Sequence, residues 1–315
     1  MTTWGLVATI KADAPAILDF AAHHLDLGAH RLHLFLDAPC PDAYPLLKAH
    51  PKIRVTLCDD AYWRKATGRR PEKHQVRQGV NATRTYQRRA EVDWLAHIDV
   101  DEFLWPDGPV ADLLAALPPE VSTARLRPAE ALAPEPPGPV TRFKILPLDR
   151  TARRAATIAL YPDYADLIDD GFMSHVAGKL FLRTGLPDVS FRIHNVYSQQ
   201  QMNPGQIELE AIRLLHFHAA SWRDWRAKFE YRHAKGAYRA DLGRHGPTGL
   251  TLHKVFEVLR AEGGEAGLRR FFDQVCSADG DHCAALERAG LLLSGDLALE
   301  EKRRRHFPRW RESVA

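Results

Sequence analysis

The sequence predicts an α/β protein built on a parallel sheet, and three observations predict it. A short apolar run is followed by a helical stretch and then by two further strand-like runs, the alternation that parallel sheets require. A later apolar segment, Trp94-Leu95-Ala96-His97-Ile98, runs straight into acidic residues. The 315 residues are 45% apolar and 26% charged, the balance of a chain able to bury a sizeable core.

Taken in order, residues 5–10 form a short apolar run ending at Lys11, a buried strand. Residues 15–28 read as a helix, with Pro15 in its first turn and Gly28 as its stop. Residues 31–37 alternate into a second strand that puts Leu32, Leu34 and Leu36 on one face. A turn at 39–42 leads to a short helix at 44–50 and a third strand at 53–57. The polar stretch 64–89 carries a helix over 76–91, its basic residues read as a solvated face. The strand at 93–105 ends in acids, and a short helix follows at 110–117. Five prolines between 128 and 139 mark a surface excursion. Strands are expected at 179–183 and 190–196, and a long helix at 221–239 with Trp222, Trp225 and Phe229 on one face. Short helices are expected at 253–259, 265–275 and 281–291, and the charged end, 300–311, is expected to be exposed.

Composition narrows the function. A net charge of +3, from 43 basic and 40 acidic side chains, argues against a nucleic-acid binder. Four cysteines without a CxxC pair give neither a disulfide framework nor a zinc motif, although Cys276, His282 and Cys283 are neighbours. No apolar run reaches membrane-span length, and the first residues lack the basic start and apolar stretch of a signal peptide. The expected location is the cytoplasm. Any membrane contact is expected to be peripheral, through Trp222, Trp225, Arg226 and Trp310; the competing reading is that these residues pack between helices.

The chemistry concentrates at Asp99-Val100-Asp101. Ligand sites of open α/β sheets lie outside the carboxyl ends of their strands. Two carboxylates two residues apart at such an end can reach one Mg²⁺ or Mn²⁺, ions that also bind substrate phosphates. An isolated Asp-x-Asp reads more readily as two loop acids, so its context decides.

That context resembles bacterial family-2-type glycosyltransferases of the GT-A (Rossmann-like) fold, in the branch related to family 92. The blocks are Ile98-Asp99-Val100-Asp101-Glu102-Phe103-Leu104, Lys11-Ala12-Asp13 after the first strand, Asp19-Phe20 with His23-His24 and Gly28, and His216-Phe217 with Ser221 and Lys228. Two positions depart from the pattern: Ala12 stands for an Asn, and Asp13 for a Glu. The resemblance implies a GT-A domain over residues 1–230 and a helical C-terminal extension over 231–315. It implies transfer of a sugar from a nucleotide donor, a UDP-sugar, to a saccharide or lipid-linked acceptor, with inversion and a divalent cation. Asp99 and Asp101 would hold the cation, with His216 as the third ligand and His194 or His218 as alternatives. Imidazole ligation implies Mn²⁺ over Mg²⁺. Lys11 and Asp13 would meet the nucleoside, Arg77 and Gln78 the diphosphate, and Lys179 a phosphate or sugar hydroxyl. Asp169 and Asp170 are candidates for the base that deprotonates the acceptor, with Glu208 and Glu210 competing.

Two other functions use similar parts. A nucleotidyltransferase would also need an acidic pair and a metal, but it would carry a Gly-rich loop where Lys11-Ala12-Asp13-Ala14-Pro15 stands. A nucleotide-sugar binding module without turnover would tolerate Ala12 and Asp13.

Overall fold

The computed structural model describes residues 1–134, 140–168, 170–219, 221–236, 238 and 249–311. The chain opens with β1 (Trp4–Ile10), α1 (Ala14–Asp26), β2 (Arg31–Leu36), α2 (Tyr44–Ala49), β3 (Ile53–Leu57), α3 (Asp60–Thr67), α4 (His74–Arg89) and β4 (Trp94–His97). It continues through β5 (Glu102–Pro106), α5 (Val110–Ala115), β6 (Thr123–Leu126), β7 (Pro128–Leu132), β8 (Thr141–Lys144) and α6 (Arg150–Leu160). Six strands follow: β9 (Lys179–Arg183), β10 (Val189–Phe191), β11 (Val196–Ser198), β12 (Gln201–Met202), β13 (Gln206–Glu208) and β14 (Ile212–His216). The last elements are α7 (Trp222–Ala234), α8 (Leu252–Cys276), α9 (Gly280–Arg288), β15 (Leu292–Gly295) and α10 (Leu299–His306).

These elements form two compact units whose segments interleave along the chain. The first holds Met1–Arg127, Ala177–Leu214 and Ala298–Ala315; the second holds Pro128–Val176 and Leu215–Leu297. The division expected at residue 230 therefore differs from the one the contacts draw. An excursion at 128–176 belongs with the helices after 215, because their apolar side chains share one core.

The first unit is an α/β layer around a seven-stranded sheet in the order β13-β6-β9-β4-β1-β2-β3. β4, β1, β2 and β3 are parallel, and β9 runs against both β4 and β6. All seven residues of β1 are buried, which is why that strand reads as a continuous apolar run. A small antiparallel sheet, β10-β11-β12, completes the unit; it replaces the single strand expected at 190–196, because residues 192–195 turn the chain back on itself.

α10 is exposed at Glu300, Glu301, Arg304 and Arg305, as expected, and departs from that expectation at Arg303. It packs on α1, where Arg303 is buried and pairs with Asp19 at 3.1 Å, while Arg305 reaches Asp26. Its charges are spent on ion pairs rather than on solvent alone.

The second unit carries the antiparallel strands β7, β8 and β15, with β8 in the middle. Its core joins Tyr161, Tyr164, Trp225, Phe229, Tyr238, Phe256, Phe271 and Phe272. The expected helices 253–259 and 265–275 are one span, α8, kinked at Gly264. Trp225 and Phe229 are buried, and Trp222 stacks against Trp225 and meets Phe272 edge-on. The packing reading of this aromatic face is the one observed for those three side chains, and Arg226 is taken up by Glu265 and Glu230. Pro128 opens β7, whose five residues are all buried, so the proline-rich stretch begins in the core; Pro136, Pro137 and Pro139 lie outside the described residues.

Candidate functional site

Topology marks the place. β1 leads to β2 and then β3 on one side, and the chain returns to β1's other side as β4. The order reverses between β1 and β4, and ligands of open α/β sheets bind outside the carboxyl ends of the strands at such a switch point. Lys11-Ala12-Asp13 follows β1 there, and Ile98-Asp99-Val100-Asp101 follows β4.

The acidic turn between β4 and β5 is closely held. The Asp99 amide donates to Glu102 Oε2 at 2.7 Å, and the Glu102 amide donates to the Asp99 carbonyl at 3.0 Å. Two adjacent histidines fix the start of β5 to α1. His23 Nε2 donates to the Leu104 carbonyl at 2.8 Å, and His24 Nε2 accepts the Leu104 amide at 3.3 Å. His24 Nδ1 is then the protonated nitrogen, donating to the Phe20 carbonyl at 2.8 Å. Burial keeps both rings neutral: His23 is lowered to about 4 and His24 well below the usual histidine range.

Asp99 has both carboxylate oxygens engaged. Gln78 Nε2 donates to Oδ1, and Lys179 Nζ lies 2.7 Å from Oδ2. Lys179 also faces Glu102 at 3.5 Å; neither Lys179 nor Glu102 exposes any of its side chain, while Asp99 exposes 28%. Burial by itself would raise the Asp99 carboxyl, but the Lys179 ammonium overrides it and holds the group ionised far below the carboxylate range. Burial would likewise lower Lys179, and Asp99 and Glu102, with Asp101 behind them, raise it instead. Three carboxylates against one ammonium leave an excess of negative charge. Gly178 sets Lys179 in place: its φ is +69°, and a Cβ there would lie 1.9 Å from the Leu126 carbonyl oxygen.

A second charged cluster sits at the carboxyl end of β2 and was not anticipated from the sequence. The fully buried Asp37 carboxylate meets Arg77 Nε at 2.9 Å, Arg70 at 3.0 Å and His74 Nδ1 at 3.6 Å. Burial raises Asp37, and His74, Arg77 and Arg70 together bring it below the usual range. Its signal in the sequence is a lone acid after an apolar strand, Leu36-Asp37, with its arginines more than 30 residues away.

The other anticipated residues have these positions. Lys11 and Asp13 are exposed at the end of β1, and Asp13 caps α1, accepting the Ala16 amide at 3.0 Å. Arg77 is tied to Asp37 and to the Pro71 and Glu72 carbonyls, whereas Gln78 is on Asp99. Asp101 is half-buried in the turn. His194 Nδ1 donates to the Gly178 carbonyl at 2.9 Å, next to Lys179. Glu208 is gripped by Arg127 through two bonds of 2.7 Å. His216 ends β14 in the second unit, with His175 and His218 beside it. Asp170 is also in the second unit, at φ +57° and 3.1 Å from Arg153. Asp169 lies outside the described residues. Cys276 and Cys283 are free thiols, and His282 is taken by the Ser277 carbonyl and Tyr161 hydroxyl. Among the described residues no helix is long and apolar enough to cross a membrane.

No protein-family model matches the sequence, and no curated protein matches it. Among solved structures it is similar to a mycobacterial protein, with a TM-score of 0.36 and 14% identity over 69% of this chain and 68% of that one. It is similar to the galactosyltransferase LgtC in complex with donor and acceptor sugar analogues, with a TM-score of 0.27 and 13% identity; the match spans 57% of each chain, under two thirds of LgtC. It is also similar to HddC from Yersinia pseudotuberculosis, with a TM-score of 0.29 and 9% identity over 69% of this chain and 77% of that one. Resemblances this distant identify neither a family nor an activity.

Proposed function

We propose that this chain is a metal-dependent glycosyltransferase of the GT-A type that takes a nucleoside-diphosphate sugar, a UDP-sugar, at the β1/β4 switch point. The observation that carries the reading is Asp99-x-Asp101 at the carboxyl end of β4, where the strand order reverses. The sequence blocks around it give the family-2-type reading and the inverting outcome, with a saccharide or lipid-linked acceptor.

The donor set fits a hard divalent cation, since carboxylate oxygens suit Mg²⁺ and Mn²⁺. Asp99 is already ionised and already bonded at both oxygens, so Asp101 is the carboxylate for direct ligation and Asp99 acts through its neighbours. His216, the third ligand that the resemblance implies, belongs to the second unit, and this proposal does not rest on it. A cation held by Asp101 supplies charge stabilisation to the departing nucleoside diphosphate. The chain's own residues do the rest. Lys179 and Gln78 fix Asp99, and His23 and His24 fix the turn. Asp13, Lys11 and the Asp37–Arg70–Arg77 cluster border the place where the nucleoside would lie. Asp170, Asp169, Glu208 and Glu210 remain the candidates to remove the acceptor's hydroxyl proton. Glu208 and Asp170 would each have to release an arginine to do so.

A thermal-shift screen of nucleotide sugars with Mn²⁺ tests the reading. A ligand at a hundred times its Kd adds about 2.7 kcal/mol to the folded state, a readily measured rise in Tm. One nucleoside-diphosphate sugar, expected to be uridine-based, should give that rise only with the metal. No shift with any nucleotide sugar sinks the reading; a shift without transfer or hydrolysis leaves the binding-module function in its place.

A further inference from the structure

We propose that His175 and His216 are the imidazole arms of a transition-metal site carried by the second unit, one that prefers Zn²⁺ or Co²⁺ to Mg²⁺. The proposal goes beyond the reading above and rests on neither the nucleotide nor the cation held by Asp101.

The spacing suits it. Two imidazoles on one tetrahedral ion, each nitrogen about 2.0–2.1 Å from the metal, put their ring centres roughly 5 Å apart. The His175 and His216 rings are centred 5.4 Å apart, and a nitrogen of one lies within 4.8 Å of a nitrogen of the other. Imidazole favours zinc, cobalt, nickel and copper over magnesium.

His216 is fixed because it ends β14 and is buried. His175 sits on a loop, and that loop is clamped by a buried ion pair with no part in the proposed reaction. Glu130 on β7 and Lys144 on β8 are register partners in the sheet, 3.1 Å apart, with 2% and 1% of their side chains exposed. Glu130 accepts the Met173 amide at 3.0 Å and the Ser174 amide at 2.7 Å, the two residues before His175. Lys144 donates to the Gly171 carbonyl at 2.8 Å and the Val275 carbonyl at 2.6 Å. Gly171 takes φ +76° against the Tyr161 ring, where a Cβ would lie 2.9 Å from a ring carbon. An apolar pair of equal volume would stabilise a core as well or better than a buried ion pair. What this pair adds is a loop held at both ends of the 171–174 segment, the kind of outer-shell support that orients metal-binding histidines.

His218 flanks the pair without joining it. Its Nε2 lies 2.6 Å from the Tyr238 hydroxyl, which also accepts the Trp225 Nε1 proton at 3.0 Å. Whichever of the two carries the proton, the contact commits that nitrogen. Burial, with the nearby Arg232, keeps the ring neutral.

Cobalt titration of the full chain, read by the visible absorption of Co²⁺ and reversed by Zn²⁺, tests the site. Wild type should bind Co²⁺, and His175→Ala and His216→Ala should each weaken it at least tenfold. Asp101→Asn should bind as wild type does. His175→Cys should bind Co²⁺ with a new thiolate-to-cobalt charge-transfer band, a signature that a packing role would not produce and that does not depend on the alanine variants folding. The proposal is overturned if wild type binds no Co²⁺, if His175→Ala binds unchanged, if Asp101→Asn loses binding, or if His175→Cys gives cobalt binding without the band. Cobalt binding with no response to any nucleotide sugar would remove the transferase reading and leave this site standing.

Discussion

Asp99 and Asp101 are two residues apart yet should fail differently when altered. Asp101→Asn keeps the side chain's shape and removes its charge, so the protein should fold and lose metal-dependent nucleotide binding. Lys179→Met leaves Asp99 and Glu102 facing each other in a buried turn without their counter-ion. Breaking a buried pair from one side costs roughly 3–5 kcal/mol, which urea unfolding would register; an unchanged midpoint would mean the lysine is not needed to hold the turn. Histidine gives a second residue-scale expectation. His23, lowered to about 4, and His97, lowered to about 3, are held neutral by burial. The unfolded chain therefore takes up protons first. Their contribution is complete above about pH 6.5 and declines below it, by about 1.4 kcal/mol per pH unit for each ring. The decline ends as pH passes each folded value. Asp99, depressed in the fold, adds its own loss only below the ordinary carboxylate range. Urea midpoints should fall between about pH 6.5 and 5, and a flat profile there would contradict the neutral, buried imidazoles.

At the scale of elements, α1 is where two roles of one residue can be separated. Asp13 caps the helix through the Ala16 amide, and the proposed site also places it beside the nucleoside. Asp13→Ala should cost about 0.5–2 kcal/mol as a lost cap. Asp13→Ser keeps a capping side chain, so it should restore stability while leaving UDP binding weakened. UDP affinity unchanged from wild type in both variants would leave Asp13 with the cap alone. The elements most legible in the sequence were those of strong, local pattern: β1, α1, β2, α2 and β3 fall within a few residues of expectation. Those missed were short strands whose residues carry little pattern. β7 is Pro-Ala-Glu-Ala-Leu, with no β-branched residue, and its buried Glu130 is intelligible only once Lys144 is seen across the sheet. In α10 only the burial of Arg303 is illegible, because its partner Asp19 comes from the other end of the chain.

At the scale of the whole molecule, the parallel sheet was legible because each strand and its helix are consecutive. The interleaving of the two units was not, since nothing in residues 128–176 announces that their core partners begin at 215. The site divides the same way. The acid pair is local and was legible, and Lys179 was legible only as a basic residue after a glycine. The Asp37 cluster and the partners of Asp99 depend on contacts 21 to 80 residues apart. The central claim is that the β1/β4 crevice binds a nucleoside diphosphate through a cation held by Asp101. Calorimetric titration of UDP into wild type and Asp101→Asn, each with and without Mn²⁺, tests it most directly. The account predicts binding by wild type that is strengthened at least tenfold by Mn²⁺, and an Asp101→Asn protein of unchanged Tm that shows no such gain. An equal Mn²⁺ gain in the variant, or no UDP binding by wild type under any condition, would contradict it.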